Sequence, residues 1–422
     1  MLALYFCYFT FGIAMSFPGI STQFTMIEKL HFSPSHMTYA YGFIALPWCL
    51  KPLYGFITDT VPIVDWGKRR PYICGAGLLS SFLYVYIPHY MHNGKEFTLV
   101  LTLTSLCICF ADVCADSILV SLEKKETIKG QHQTSCWTFR ALGTACGAFL
   151  GGLCYKTYGA VAVYRLTATF PFIMALIVWD LPKFEKVNPY VIKGLLRSIY
   201  EARMLVMLFF FISISPGYGV FYTYYLKQNL GYTPTEFSWI NLCASMSYLF
   251  AVIFYKKYLL QMSKTRIIII AITGSFLLRL AQLFVITGYI PYFSVVLLDS
   301  VAESFFDELI IMPLIILSAS MCGDGVEATL YALLMSISNF SGFLSTELGG
   351  WIGEIFEITE DNFDNLFIYM FTLILFDFLF SIWVLWRITT YFSLDYENRE
   401  EKNDMTDLEY LDPPERPDQV PT

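Results

Sequence analysis

Apolar residues run through the chain in long blocks separated by short polar interruptions. A hydrocarbon core about 30 Å thick takes about 20 residues of helix. Read against that length, the blocks predict twelve membrane-spanning helices, near residues 2–28, 34–58, 70–90, 97–122, 133–157, 160–180, 203–227, 234–255, 265–288, 290–319, 326–352 and 366–390. Between the sixth and seventh, residues 181–202 set Val191, Ile192, Leu195, Leu196 and Ile199 among Lys193 and Arg197. At helical spacing this linker reads as an amphipathic segment on the cytosolic membrane surface.

Composition agrees with that pattern. Of 422 residues, 56% are hydrophobic and only 15% are charged, where soluble domains carry about 25%. The chain reads as an all-α integral membrane protein in contact with the lipid bilayer. Its net charge of −8 argues against a nucleic-acid partner. Most of that charge sits in residues 391–422, which hold ten acids and three bases and read as a disordered acidic tail. The eleven cysteines lie mostly inside apolar blocks, with no CxxC pair, so free thiols are expected, with no metal site and no cofactor. Apolar sequence starts at Leu2 without a charged leader, so the first block reads as a retained helix.

Lysine and arginine set the orientation, since they concentrate in cytosolic loops. With the N-terminus inside, 19 of the 27 fall on the inner side, five outside, and Lys51, Arg140 and Arg279 within helices. Both termini are expected in the cytosol.

The two parts of the chain echo each other. Phe17-Pro18-Gly19 returns as Ser215-Pro216-Gly217, and Ser33-Pro34 returns as Thr233-Pro234. Ser33 and Thr233 are N-cap residues, each with proline at the first helical position, where a missing N–H costs nothing. Asp112-x-x-Ala115-Asp116 in the fourth helix is matched by Asp299-x-x-Ala302-Glu303 in the tenth. Their common order suggests two six-helix pseudo-repeats, residues 1–180 and 203–390, of the parallel kind found in major-facilitator transporters. In such a fold the first, fourth, seventh and tenth helices line a central cavity.

Ionisable residues within a membrane are costly and mark function or a specific partner. Asp112 and Asp116 share one face of the fourth helix, and Arg140 and Lys51 lie at similar depth. These four can form a buried network, structural or functional. On the tenth helix Asp299, Glu303 and Asp307 recur every four residues, with Glu308 beside them and Arg279 at comparable depth on the ninth. Three carboxylates facing one base cannot all remain ionised in a low dielectric, so one of them is a candidate proton site. Glu347 and Asp377 are single acids with a bland reading near a helix end or interface.

Gly55-x-x-x-Asp59 followed by Gly67-Lys68-Arg69-Arg70 resembles the cytosolic loop motif of major-facilitator transporters. Asp59 with Lys68, Arg69 and Arg70 is the candidate inner gate. Gly143, Gly147, Gly151 and Gly152, and more loosely Gly342, Gly349, Gly350 and Gly353, read as close-packing positions. Phe221, Tyr222, Tyr224 and Tyr225 follow the Pro216-Gly217 break as candidates for stacking on a flat ring.

Longer strings resemble one family. Trp48-x-x-Lys51-Pro52-Leu53-Tyr54-Gly55-Phe56-Ile57-Thr58-Asp59, then Arg69-Arg70-Pro71-Tyr72, is similar to the second-helix signature of folate-biopterin transporters. Asp112-Val113-Cys114-Ala115-Asp116, Met312-Pro313 and Gly325-Val326-Glu327-Ala328-Thr329-Leu330-Tyr331-Ala332-Leu333 extend the likeness into both halves. The resemblance implies a twelve-helix major-facilitator fold and proton-linked import of folates or pterins, with the plasma membrane as expected location. Some members carry S-adenosylmethionine. A glutamate tail would call on Lys51, Arg140 and Arg279, whereas a cation would call on Asp299, Glu303 and Asp307. Carriers of other metabolites, or a non-transporting receptor or scaffold, are the alternatives. An enzyme is not expected, because no HExxH, GxGD or GxSG arrangement occurs.

Overall fold

The computed structural model describes residues 1–61, 63, 69–123, 131–181, 207, 210–211, 214–259, 262–289, 292–321 and 327–409. All regular structure among them is helical. The order begins α1 (Leu2–Ser16), α2 (Gly19–Phe24), α3 (Pro34–Ala45), α4 (Lys51–Thr60), α5 (Arg70–Tyr86) and α6 (Gly94–Glu123). It continues with α7 (Gln131–Thr167), α8 (Thr169–Ile177), α9 (Gly219–Gln228), α10 (Pro234–Phe254) and α11 (Lys264–Ile286). The last three are α12 (Phe293–Met321), α13 (Glu327–Ile355) and α14 (Leu366–Glu409).

Local chemistry accounts for the breaks. Pro18 separates α1 from α2, as a ring without an N–H must. Ser33 caps α3 by accepting from the His36 N–H at 3.3 Å. Thr233 caps α10 through a reciprocal box with Glu236, whose carboxylate accepts from the Thr233 N–H at 2.7 Å. Gly159, at φ +76°, interrupts α7 where the fifth and sixth blocks divide.

Among the described residues, seven stretches are long and apolar enough to cross a membrane, from Leu2–Lys29 to Leu366–Arg387. Large apolar side chains such as Leu99, Phe250, Leu277 and Trp386 lie exposed along them, as surfaces facing lipid should. One of these stretches, Ser135–Asp180, is 46 residues long. As one straight helix it would reach about 70 Å, more than twice the hydrocarbon thickness, and Gly159 lies within it.

Glycines set the closest packing. α1 lies along α7, and a Cβ at Gly143 would collide with the Phe9 carbonyl and one at Gly151 with that of Phe17. On α13 a Cβ at Gly349 would collide with the Gly217 carbonyl, and the Gly217 N–H donates to Ser345 O at 3.0 Å. Close packing is thus the role of most of these glycines, although Gly342 has open space beside it.

Among the described residues two large hydrophobic cores form, with smaller clusters beside them. One gathers Tyr8, Phe11, Phe97 and Tyr164, and the other Phe24, Phe221, Tyr222, Tyr225 and Tyr369. They are joined by α10 packing on α7 and α13 packing on α3. α14 continues as helix to Glu409, into the tail whose composition predicts disorder. That stretch holds good helix formers, Glu, Lys, Met and Leu, which extend a helix already nucleated in the membrane. The amphipathic linker falls outside the described residues apart from Leu181, and Lys68 of the candidate gate lies outside them too.

Candidate functional site: two charge networks and an acid-rich cavity

The first network joins α4, α6, α7 and α1. Asp112 is fully buried and accepts from Lys51 Nζ at 2.8 Å and from Arg140 Nη1 at 2.7 Å. Asp116, one turn further along α6, lies 3.8 Å from Lys51 and accepts from the Tyr8 hydroxyl. Trp48 lies under both cations, 4.8 Å from Lys51 Nζ and 5.8 Å from the Arg140 guanidinium. The four residues picked out by depth do meet, with two positive and two negative groups. Tyr8 was not visible as their partner, because helical depth does not say which way an α1 side chain faces.

The second network is built on two antiparallel neighbours, α11 and α12. Their polar residues pair in register: Ser275 with Asp307 at 3.4 Å, Arg279 with Glu303 at 3.1 Å, and Gln282 with Asp299 at 2.8 Å. Arg279 Nη2 also reaches Asp307 at 3.3 Å, and Nη1 donates to Asp377 of α14 at 2.7 Å. All three guanidinium nitrogens are therefore engaged. Asp299 is held by Gln282 and not by Arg279. Eight residues separate Asp299 from Asp307, about 12 Å along a helix, so one guanidinium cannot serve both. Gln282 fills the gap, also donating to Glu303 at 3.3 Å. Glu308 is buried, with Oε1 unpartnered.

Asp377 is the main addition to the sequence reading. A lone acid on the last span carries no signal in its own neighbourhood. Its role depends on α14 packing against α11.

Most of these groups, though neither Asp299 nor Glu308, border a cavity of about 580 Å³, within the range of small-molecule sites. Arg279, Glu303, Asp307 and Asp377 line it, together with Gln282 and the rings of Tyr218 and Tyr222. The Tyr218 and Tyr222 hydroxyls and Gln282 Oε1 are buried without hydrogen-bond partners. Of the four aromatics proposed for stacking, only Tyr222 borders the cavity. Phe221 packs on Tyr369 at 4.9 Å, while the Tyr224 and Tyr225 hydroxyls donate to the carbonyls of Phe32 and Ile286.

Of the gate, Arg69 and Arg70 stand at the start of α5, and the backbone of Asp59 lies in the last turn of α4.

Residues 11–406 match the sequence pattern of the BT1 family. The chain belongs to the BT1 family. The match covers the charged residues of both networks, and Tyr8 lies just before it. The folate-biopterin transporter of Synechocystis sp. is 29% identical over 384 residues, covering 87% of this chain and 77% of that one. Probable folate-biopterin transporter 2 of Arabidopsis thaliana is 24% identical, covering 85% and 76%. Folate transporter 2 of Plasmodium falciparum is 25% identical, covering 84% and 80%. Among solved structures the nucleoside transporter NupG superposes with a TM-score of 0.70 at 11% identity, covering 93% of this chain and 98% of that one. A D-xylose-proton symporter gives 0.66 at 12% identity, covering 90% and 96%. This BT1 protein is thus an integral membrane transporter and not an enzyme, and it shares the fold of those solved transporters.

Proposed function

We propose that the chain is a secondary active carrier that imports folates or pterins, driven by protons, through alternating access. Residues 1–180 and 203–390 form two six-helix halves, twelve spans in all, with both termini in the cytosol and the plasma membrane as location. The parallel glycine contacts, α1 on α7 and the Gly217 segment on α13, support that repeat. Rocking of the halves exposes the Arg279 cavity to one side at a time, and Asp59, Lys68, Arg69 and Arg70 close the inner side.

The observation that carries this reading is the excess of acid around Arg279. The network of Lys51, Arg140, Asp112 and Asp116 balances its charges, so it suits switching or structure. Around Arg279, three carboxylates face one cation on the wall of a cavity, an arrangement suited to taking up a proton. Glu303 is the assigned coupling group, faced by Arg279 and Gln282 from α11, with Asp299 and Asp307 on its own helix and Asp377 held on α14 by the same Arg279. Glu303→Gln is expected to abolish accumulation against a gradient while sparing exchange of labelled for unlabelled substrate. Unchanged dependence on outside pH would overturn the assignment. The same carboxylates favour a second reading, a cationic metabolite such as S-adenosylmethionine.

A further inference from the structure

The cavity wall is specific about charge. Arg279 is the one cationic side chain among the described residues that line it. Its Nε is bound by Glu303, Nη1 by Asp377 and Nη2 by Asp307. Lys51 and Arg140 are held by Asp112 and do not line this cavity. A ligand carboxylate entering here would meet a guanidinium already surrounded by acids, and like charges brought together in a confined site repel strongly.

The acceptors are less fully used than the donors. An ionised carboxylate offers about four lone-pair positions. Asp377 is held by Arg279 through Oδ2, while Gln282 Oε1 accepts from no described group. Gln282 is 2% exposed, and Tyr218 and Tyr222 are each 7% exposed, with unpartnered hydroxyls on the same wall. Buried polar atoms in a native structure are nearly always satisfied, so these orphans point to a ligand. Phe276 and Phe378, stacked at 4.2 Å, add a flat apolar surface to the wall.

We propose that this cavity binds a substrate of zero or positive net charge through an edge of N–H donors, and that a pterin without a glutamate tail fits it better than folate does. The inference rests on the carrier reading above and narrows it. A pterin ring presents its 2-amino group and N3–H side by side, two parallel donors that match a carboxylate as a guanidinium does. Its ring is flat enough to lie against Tyr222 or Phe378. Folate carries the same ring, but its glutamate tail brings two further carboxylates into a site already rich in them.

The test uses the full chain in proteoliposomes, with labelled biopterin and unlabelled biopterin, folic acid or S-adenosylmethionine as competitors. Saturable biopterin uptake is expected, with folic acid competing about tenfold or more weakly than biopterin. Asp377→Asn removes one carboxylate from Arg279 and should narrow that ratio in favour of folic acid. Tyr222→Phe should weaken biopterin competition without narrowing it. The wild-type ratio decides the matter if either variant fails to insert. Folic acid competing as well as biopterin, or better, would overturn the inference and leave the carrier reading standing. S-Adenosylmethionine as the strongest competitor would uphold the charge rule and overturn folates and pterins as substrates. Binding of none of the three would overturn both.

Discussion

Arg279 Nη1 donates to Asp377 Oδ2 at 2.7 Å, tying α11 to α14 across 98 positions of sequence. With Glu303 and Asp307 on α12, the guanidinium fastens three helices at one point. Its planar fork makes that possible, since a lysine ammonium is a point charge on a flexible stem. Arg279→Lys should therefore lose at least one charged hydrogen bond, each worth about 1.5–3 kcal/mol. The loss belongs at the low end, because Asp307 is 43% exposed and water screens it. Thermal unfolding in detergent measures the stability change, and accumulation of substrate should fall about tenfold or more.

The Lys51–Asp112–Arg140 triad predicts a contrast within one helix. Asp112 is fully buried between two cations, so Asp112→Asn leaves positive charges facing each other without an acid between them. A cost of about 3–5 kcal/mol is expected, enough to reduce the amount of inserted protein. Asp116, with a side chain 36% exposed and 3.8 Å from Lys51, contributes less to stability. Asp116→Asn should insert normally and lower uptake instead. Surface quantitation alongside uptake separates the two outcomes.

Much of this was legible in the sequence. Ser33-Pro34 and Thr233-Pro234 mark helix starts because capping is a local rule. The glycines of α7 signal close packing because only a missing Cβ admits another backbone. Lys51, Asp112, Asp116 and Arg140 could be grouped because each lies at a similar depth. Depth is all that a hydrophobic span reveals, however. Tyr8 and Gln282 carry no such signal, and Asp377 reads as a bland single acid, because rotation about the helix axis, and which helices become neighbours, are set by tertiary packing. The same limit explains why Asp299 was assigned to Arg279 when Gln282 lies opposite it.

Glycine positions on two helices should respond differently to one methyl group. Gly143→Ala places a Cβ against the Phe9 carbonyl and should separate α1 from α7, costing about 1–3 kcal/mol by overpacking. Gly342→Ala meets open space and should leave stability unchanged or slightly raised. Melting curves of the two variants, measured side by side, check the pairing.

Lys227 Nζ lies 2.9 Å from Glu28, which also accepts from the Tyr155 hydroxyl. The contact joins the end of α9 to the turn after α2, and the proposed topology puts it on the outer face between halves. Exposed pairs are worth about 0–1 kcal/mol, a size suited to a contact that breaks in every cycle. Lys227→Glu should speed labelling from outside of a cysteine introduced on the cavity wall, and adding Glu28→Lys should slow it again. Equal labelling in all three proteins would show that the pair does not hold the outer face closed.

The most direct test is accumulation of labelled biopterin in proteoliposomes carrying the full chain, with the outside medium either acidic or neutral. A proton-driven importer should concentrate the label above its outside level only when the outside is acidic. Glu303→Gln should then equilibrate the label without concentrating it. Uptake that is equal at both pH values in the native protein would contradict proton coupling, and with it the role assigned to the acids around Arg279.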